Sequence, residues 1–207
     1  MAREFLGGAA TTALRDAVSS IEARSSAELV ISVRARSDAY RHADILVGVI
    51  AGLATLAFLL FSPWPFALHW FLVDPVVIGA LVALAVSRLP PVRRALTPRS
   101  IRDARVRTAA GAVFVEKGVH HTRQRTGILL YVSLLERRAL LIGDSTALRE
   151  VPRREWRAAA AAIDRVVASG GDGAEVARAL APLGDLLALH LPHRPGDVNE
   201  LPDEVDA

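Results

Sequence analysis

GILLYVSLLERRALLIGD, residues 127–144, reads as two strands and the turn between them. Residues 127–136 are apolar on both faces and rich in strand formers, the pattern of a central strand covered on both sides. RRALLIGD follows almost at once. So short a connection joins antiparallel strands, because a parallel return needs a crossover of about a dozen residues or more.

Outward from this pair the period changes to that of helices. Downstream, Trp156, Ala160, Ile163 and Val167 define an amphipathic helix that ends at Gly170-Gly171. Asp172 with Glu175 then makes a capping-box start for a helix carrying Val176, Leu180, Leu183 and Leu187, bent or divided at Pro182. Upstream, Thr97-Pro98 predicts an N-cap and a proline at N1 for a helix running to Lys117, with Gly118 as its stop. Near the N-terminus, Leu14, Val18 and Ile21 form the stripe of a short helix. In AELVISVRARS, residues 27–37, Leu29, Ile31, Val33 and Ala35 alternate with more polar neighbours, as in a strand.

Two apolar runs separate that first strand from the rest. ILVGVIAGLATLAFLLF, residues 45–61, carries no charge and approaches the roughly 20 residues a helix needs to cross a bilayer core. PVVIGALVALAVSRL, residues 75–89, is shorter, with Arg88 able to snorkel at its end. Trp64, Phe66, Trp70 and Phe71 lie between the runs, where an interfacial aromatic belt would sit. Asp74-Pro75 reads as the N-cap and N1 of the second helix. Neither run has a polar stripe, which argues for lipid rather than a small protein core. Arginines precede the first run (Arg34, Arg36, Arg41) and follow the second (Arg88, Arg93, Arg94 onward), and the loop between has none. The positive-inside rule therefore predicts both termini and the soluble parts on the cytoplasmic side of the cell's inner membrane.

A lone helix and strand before the hairpin cannot bury their apolar faces unaided, so the first strand is expected to join the later two. The predicted fold is α/β, with a small three-to-four-stranded mixed sheet interrupted by a transmembrane helical hairpin. Residues 1–41 form the first part of the soluble domain and 42–91 the hairpin, with spans at about 44–61 and 74–89. Residues 92–191 complete the domain, and 192–207 form an acidic tail expected to be flexible.

Composition limits the chemistry. There is no cysteine, which excludes disulfides, thiolate metal sites and a cysteine nucleophile. Arginine supplies 24 of the 25 basic residues, Lys117 being the sole lysine, and the net charge is only +3. That balance reflects compositional bias rather than a nucleic-acid surface. The N-terminal stretch lacks the apolar core of a cleavable signal, so targeting is assigned to the spans.

Several blocks together resemble the bacterial membrane-anchored TPM domain family: SAELV at 26–30, HHTRQRTGILLYVSLLERRALLIGD at 120–144, Trp156, and NELPD at 199–203. The resemblance implies an α/β/α sandwich around a small mixed sheet, with a membrane hairpin interrupting the domain. Among similar proteins it implies acid phosphatase activity and divalent-cation binding through acidic loop residues in some, and assembly, repair or receptor support in others. Asp144 is the acidic position that the resemblance carries over to this chain.

Of the candidate site residues, Asp144 follows Gly143 at a strand end, where ligands bind in α/β sheets and where turn-forming aspartates also sit. It is the candidate ligand or metal residue. His121, Arg123 and Arg125 precede the central strand and suit an anion or acidic partner, with Arg125 expected to pair with Glu136 or Asp144. The adjacent His120 and His121 are not expected to point the same way. His190 and His193 are a weaker metal pair. Arg99, Arg102 and Arg105 are candidate contacts for anionic lipid. No Gly-rich phosphate loop or other cofactor motif is present. The expected partners are the bilayer and a membrane protein, and the expected role is non-enzymatic assembly or maintenance, with a metal-dependent phosphatase as the alternative.

Overall fold

The computed structural model describes residues 5–193, Leu201 and residues 205–206. Among these residues there are a four-stranded mixed sheet and eight helices, in two separately compact units. One unit comprises the chain up to Asp38 and from Asp103 onward, and the other is Ala39–Arg102.

In the first unit the strands are β1 (Glu28–Arg34), β2 (Gly127–Ser133), β3 (Arg138–Gly143) and β4 (Val205–Asp206), in the order β3-β2-β1-β4. β1 pairs with β2 in parallel, Glu28 opposite Gly127 through Arg34 opposite Ser133. β2 pairs with β3 antiparallel, as the short connection requires. Residues 134–137, which begin as a continuation of the apolar run, form the turn, and Arg137 takes a left-handed backbone (φ 51°) there. β2 is buried throughout, whereas β3 alternates as an edge strand does.

Helices cover both faces. Leu29, Ile31 and Val33 of β1 and Ile128, Leu130 and Val132 of β2 pack against α1 (Gly8–Glu22) and two C-terminal helices. The opposite face, with Val30, Leu129 and Tyr131, packs against Val106, Ala110 and Val113, which lie on a single later helix. Strand alternation sends successive residues to opposite layers, so the result is an α/β/α sandwich.

The second unit holds α2 (Arg41–Phe61), α3 (Leu68–Ser87) and the short α4 (Pro90–Leu96). The windows Asp44–Phe61 and Leu68–Ser87 are long and apolar enough to cross a membrane, and only 22% and 11% of them are buried. A soluble core helix would be mostly buried; these present Ile45, Leu53, Leu72 and Leu81 outward. The two helices pack through small residues. A Cβ on Gly48 would lie 2.7 Å from the Gly79 carbonyl oxygen, and one on Gly52 equally close to that of Pro75. Such close backbone approach is what small residues at a helix–helix contact permit.

Three expectations need correction. Asp74 does not cap the second helix, which starts at Leu68 and runs through Pro75. The turn is confined to residues 62–67, and an apolar helix tolerates an internal proline where its neighbours compensate. Thr97 does not cap the helix that follows it. Its hydroxyl donates back to Arg93 O (3.0 Å), closing α4, and α5 (Arg99–Glu116) begins beyond Pro98. The tail is not wholly free either: Val205 and Asp206 pair with Ile31 and Ser32 because β1 otherwise leaves an open edge. Asp197, Glu200, Asp203 and Glu204 lie outside the described residues, as does most of the NELPD block.

The remaining helices are α6 (Ser145–Glu150), α7 (Arg153–Ser169) and α8 (Gly173–His190). Gly170 ends α7 with a left-handed φ of 91°, and Asp172 and Glu175 close the predicted capping box. Pro182 lies within a continuous α8.

Candidate functional site

β3 ends where β1 and β2 begin, and the chain returning from α5 is folded tightly at this end of the sheet. Gly118 (φ 67°) stops α5 and a single 3-10 turn, Val119–His121, follows. The Thr122 hydroxyl accepts from the backbone N–H groups of Thr126 (3.1 Å) and Gly127 (3.3 Å). Arg125 is left-handed at φ 55°. A Cβ on Gly127 would lie 2.0 Å from the Val119 carbonyl oxygen, so only glycine fits. Two backbone bonds then clamp this loop to the end of β3: Asp144 N donates to Gly127 O (2.8 Å) and Thr146 N to Arg125 O (3.1 Å).

Asp144 is buried at 8% exposure and caps α6, one carboxylate oxygen accepting from Ser145 N. Its other oxygen is enclosed without a hydrogen bond and lies 3.8 Å from Arg125 Nη1. The structure thus joins Asp144 to Arg125, one of the two pairings expected. Glu136, the other expected partner, lies beyond the far end of β2. His121 and Arg123 are exposed on the same loop as Arg125. Contrary to expectation the two histidine rings lie against each other, with centroids 3.8 Å apart and planes tilted by 50°, His120 lying also against Phe114.

Beside this corner is a polar hollow of about 260 Å³, lined by Ser26, Gln124, Thr126, Thr146, Arg149 and His190 among others. Arg149 bonds to Glu150 (3.0 Å), while His190 Nε2 is enclosed, 3.8 Å from Glu155 and without a hydrogen bond. Glu150 lines it too, so the hollow sets several donors beside one carboxylate and suits hydrogen-bonding a polar group. In the sequence His190 is marked by its spacing from His193, and its place at a helix C-terminus is a second sign. His193 is exposed beyond the helix. Among the described residues no three His, Asp or Glu side chains gather as a metal ion would need. Asp144, committed to a cap and to Arg125, does not fit the several oxygen ligands that a hard divalent cation takes.

The opposite end of the sheet carries a polar network that the sequence did not reveal. The Ser37 hydroxyl meets Ser133 Oγ (2.7 Å) and Tyr131 OH (3.1 Å), and Ser37 N donates to Glu136 Oε1 (3.0 Å). Ser133 donates to the other oxygen of Glu136, whose carboxylate is buried. Burial pushes the Tyr131 phenol above its usual range, against the hydrogen bond it shares with Ser37, which lowers it. The lipid candidates on α5 divide: Arg105 bonds to Asp38 (3.1 Å), Arg99 is exposed and Arg102 is half-buried.

The fold has a counterpart in solution. The chain is similar to the BA42 protein of the psychrophilic bacterium Bizionia argentinensis, known from its NMR structure. The TM-score is 0.58 and the identity 16%, over 98% of this chain and 94% of that one. Likeness at that identity shows the shared fold alone. No protein-family model and no curated protein matches the chain.

Proposed function

We propose that this chain is a TPM-type, membrane-tethered interaction module that supports assembly or maintenance of a membrane protein complex. The observation that carries the reading is where the apolar helices lie. They interrupt the connection between β1 and β2, which are hydrogen-bonded neighbours at the centre of the sheet. A tether placed there cannot be cleaved away or exchanged without cutting the sheet in two, which suits a domain whose work is at the membrane surface. The TPM assignment is supported by residues 120–144, the block that builds the corner around Asp144. The arginine distribution supports a cytoplasmic domain on the inner membrane, with Arg99, Arg102 and Arg105 beside anionic headgroups.

Affinity capture of the full chain from detergent-solubilised membranes tests the role. Recovery of a defined membrane protein in near-equal amount is expected, and its absence in repeated captures would overturn the reading. Divalent-metal-dependent phosphatase activity that disappears in Asp144→Asn would establish the competing reading instead. Orientation is tested in this cysteine-free chain by single substitutions. Arg36→Cys and Ser100→Cys should be labelled from the same side, and Ala67→Cys from the other.

A further inference from the structure

The start of α7 opens on a second hollow, which shares no lining residue with the one beside Thr126. Its volume is about 260 Å³, and Leu148, Val151, Arg153, Trp156 and Arg157 line it. Trp156 is its wall. The ring is seated by its Cη2–Cζ2 edge on Gly143, where a Cβ would lie 2.9 and 3.2 Å from those two atoms. Trp156 is only 8% exposed, yet among the described residues its indole Nε1–H has no hydrogen-bond partner, and it is not sealed from solvent. A buried indole donor ordinarily finds an acceptor. Arg153 and Arg157 stand one helical turn apart at the rim, both exposed. The neighbouring acids face elsewhere, Glu150 bonding to Arg149 (3.0 Å) and Glu155 lying toward His190 (3.8 Å). Like charges at that spacing repel, so an anion between them is favoured. Pro152 gives α7 no side-chain cap, and the open N–H groups of its first turn add to the positive field.

The hollow therefore combines apolar walls, one indole donor and a cationic rim, with no carboxylate in its lining. We infer that it binds a small aromatic carboxylate. The ring lies against Leu148, Val151 and Trp156, and the carboxylate reaches Arg153 and Arg157. A carboxylate accepts at about four lone-pair sites, enough for both guanidinium groups and the indole N–H. The size agrees, since an apolar cavity of about 150 Å³ takes benzene and the remaining volume holds a short acid arm. A protein segment fits less well. The flanking exposed residues, Arg149, Glu150, Arg154 and Ala158, offer a longer occupant no second large apolar seat. This site goes beyond the interaction-module reading and stands whether or not a membrane partner is found.

The test uses the full chain in zwitterionic lipid nanodiscs, with phenylpropanoate as the probe and empty nanodiscs as the blank. Equilibrium dialysis should show saturable binding about tenfold tighter than that of phenylpropanamide, which has the shape without the charge. Propanoate, which has the charge without the ring, should bind more weakly still than the probe. Arg153→Gln combined with Arg157→Gln should bring the acid down to the level of the amide, and both side chains are exposed, so the fold is kept. In a chain carrying Trp64→Phe and Trp70→Phe, Trp156 is the only tryptophan, and its emission should shift in step with binding. No saturable binding, equal binding of acid and amide, indifference to the arginine pair, or an unchanged Trp156 emission overturns the inference. So does clearly tighter binding of a peptide that ends in phenylalanine with a free carboxylate, because the occupant is then a protein C-terminus.

Discussion

Arg93 of α4 and Asp44 of α2 form a buried, two-point ion pair in the helical unit. Arg93 donates from Nε to Asp44 Oδ1 (2.8 Å) and from Nη2 to Oδ2, and the two side chains are only 10% and 11% exposed. Their separation in sequence hides the pairing, and it fixes α4 against the start of the first apolar helix. The hydrogen bonds to Asp44 raise the Arg93 pKa further, against the desolvation that lowers it.

Asp44→Ala should destabilise the helical unit by about 3 kcal/mol, because it leaves a buried guanidinium without its counter-charge. The double variant Asp44→Leu with Arg93→Leu should lose clearly less. Thermal unfolding in detergent, followed through tryptophan fluorescence, compares the three chains; a single variant no worse than the double would refute the assignment.

Gly79→Leu should open the hairpin. Any Cβ there would lie 2.7 Å from the Gly48 carbonyl oxygen, and backbone cannot yield as a side chain does. Overpacking of this kind costs about 1–3 kcal/mol, the upper end being expected here. Gly111, with open space around its Cβ position, is the control: Gly111→Ala should be neutral or slightly stabilising in the same melting measurement.

Stability should fall at alkaline pH through Tyr131. Burial raises its folded pKa above the ordinary phenol value of about 10. Below that value the phenol is protonated in both states, so its full contribution to folding is present. Above it the unfolded chain ionises first, and stability is lost until the folded pKa is passed. Urea midpoints taken between about pH 8 and 11 should decline more steeply for wild type than for Tyr131→Phe. Parallel slopes would place the alkaline transition elsewhere.

Asp144 is tested by separating its capping from its charge. Asp144→Ala should cost about 1 kcal/mol as a lost N-cap. Asp144→Asn should cost little, since asparagine caps as well and the Arg125 contact at 3.8 Å is exposed on the arginine side. Equal losses in urea unfolding would mean that the carboxylate charge, not the cap, holds this corner.

What could be read from the chain was local. The apolar 127–132 run, the alternation at 28–34, the capping box at Asp172 and the two uncharged runs each report a period or a terminus, and these depend on neighbours in sequence. Asp144 was legible for the same reason: glycine before it and a strand behind it.

Pairing was not local. Alternation fixes which face of a strand is buried and does not name its neighbour. Only the tertiary structure placed β1 parallel to β2 with the apolar helices between them in sequence, added Val205 and Asp206 to the far edge, and brought His190 to the hollow beside Thr126. Pro75 shows the same limit from the other side. The local signal at Asp74-Pro75 is that of a helix start. The helix nevertheless runs through it, because the close contact of Gly52 with the Pro75 carbonyl needs a continuous partner helix at that point. Sequence alone determined the elements, the cysteine-free chemistry and the two apolar segments. The fold decided their partners, since contacts between distant residues leave no periodic trace in the chain.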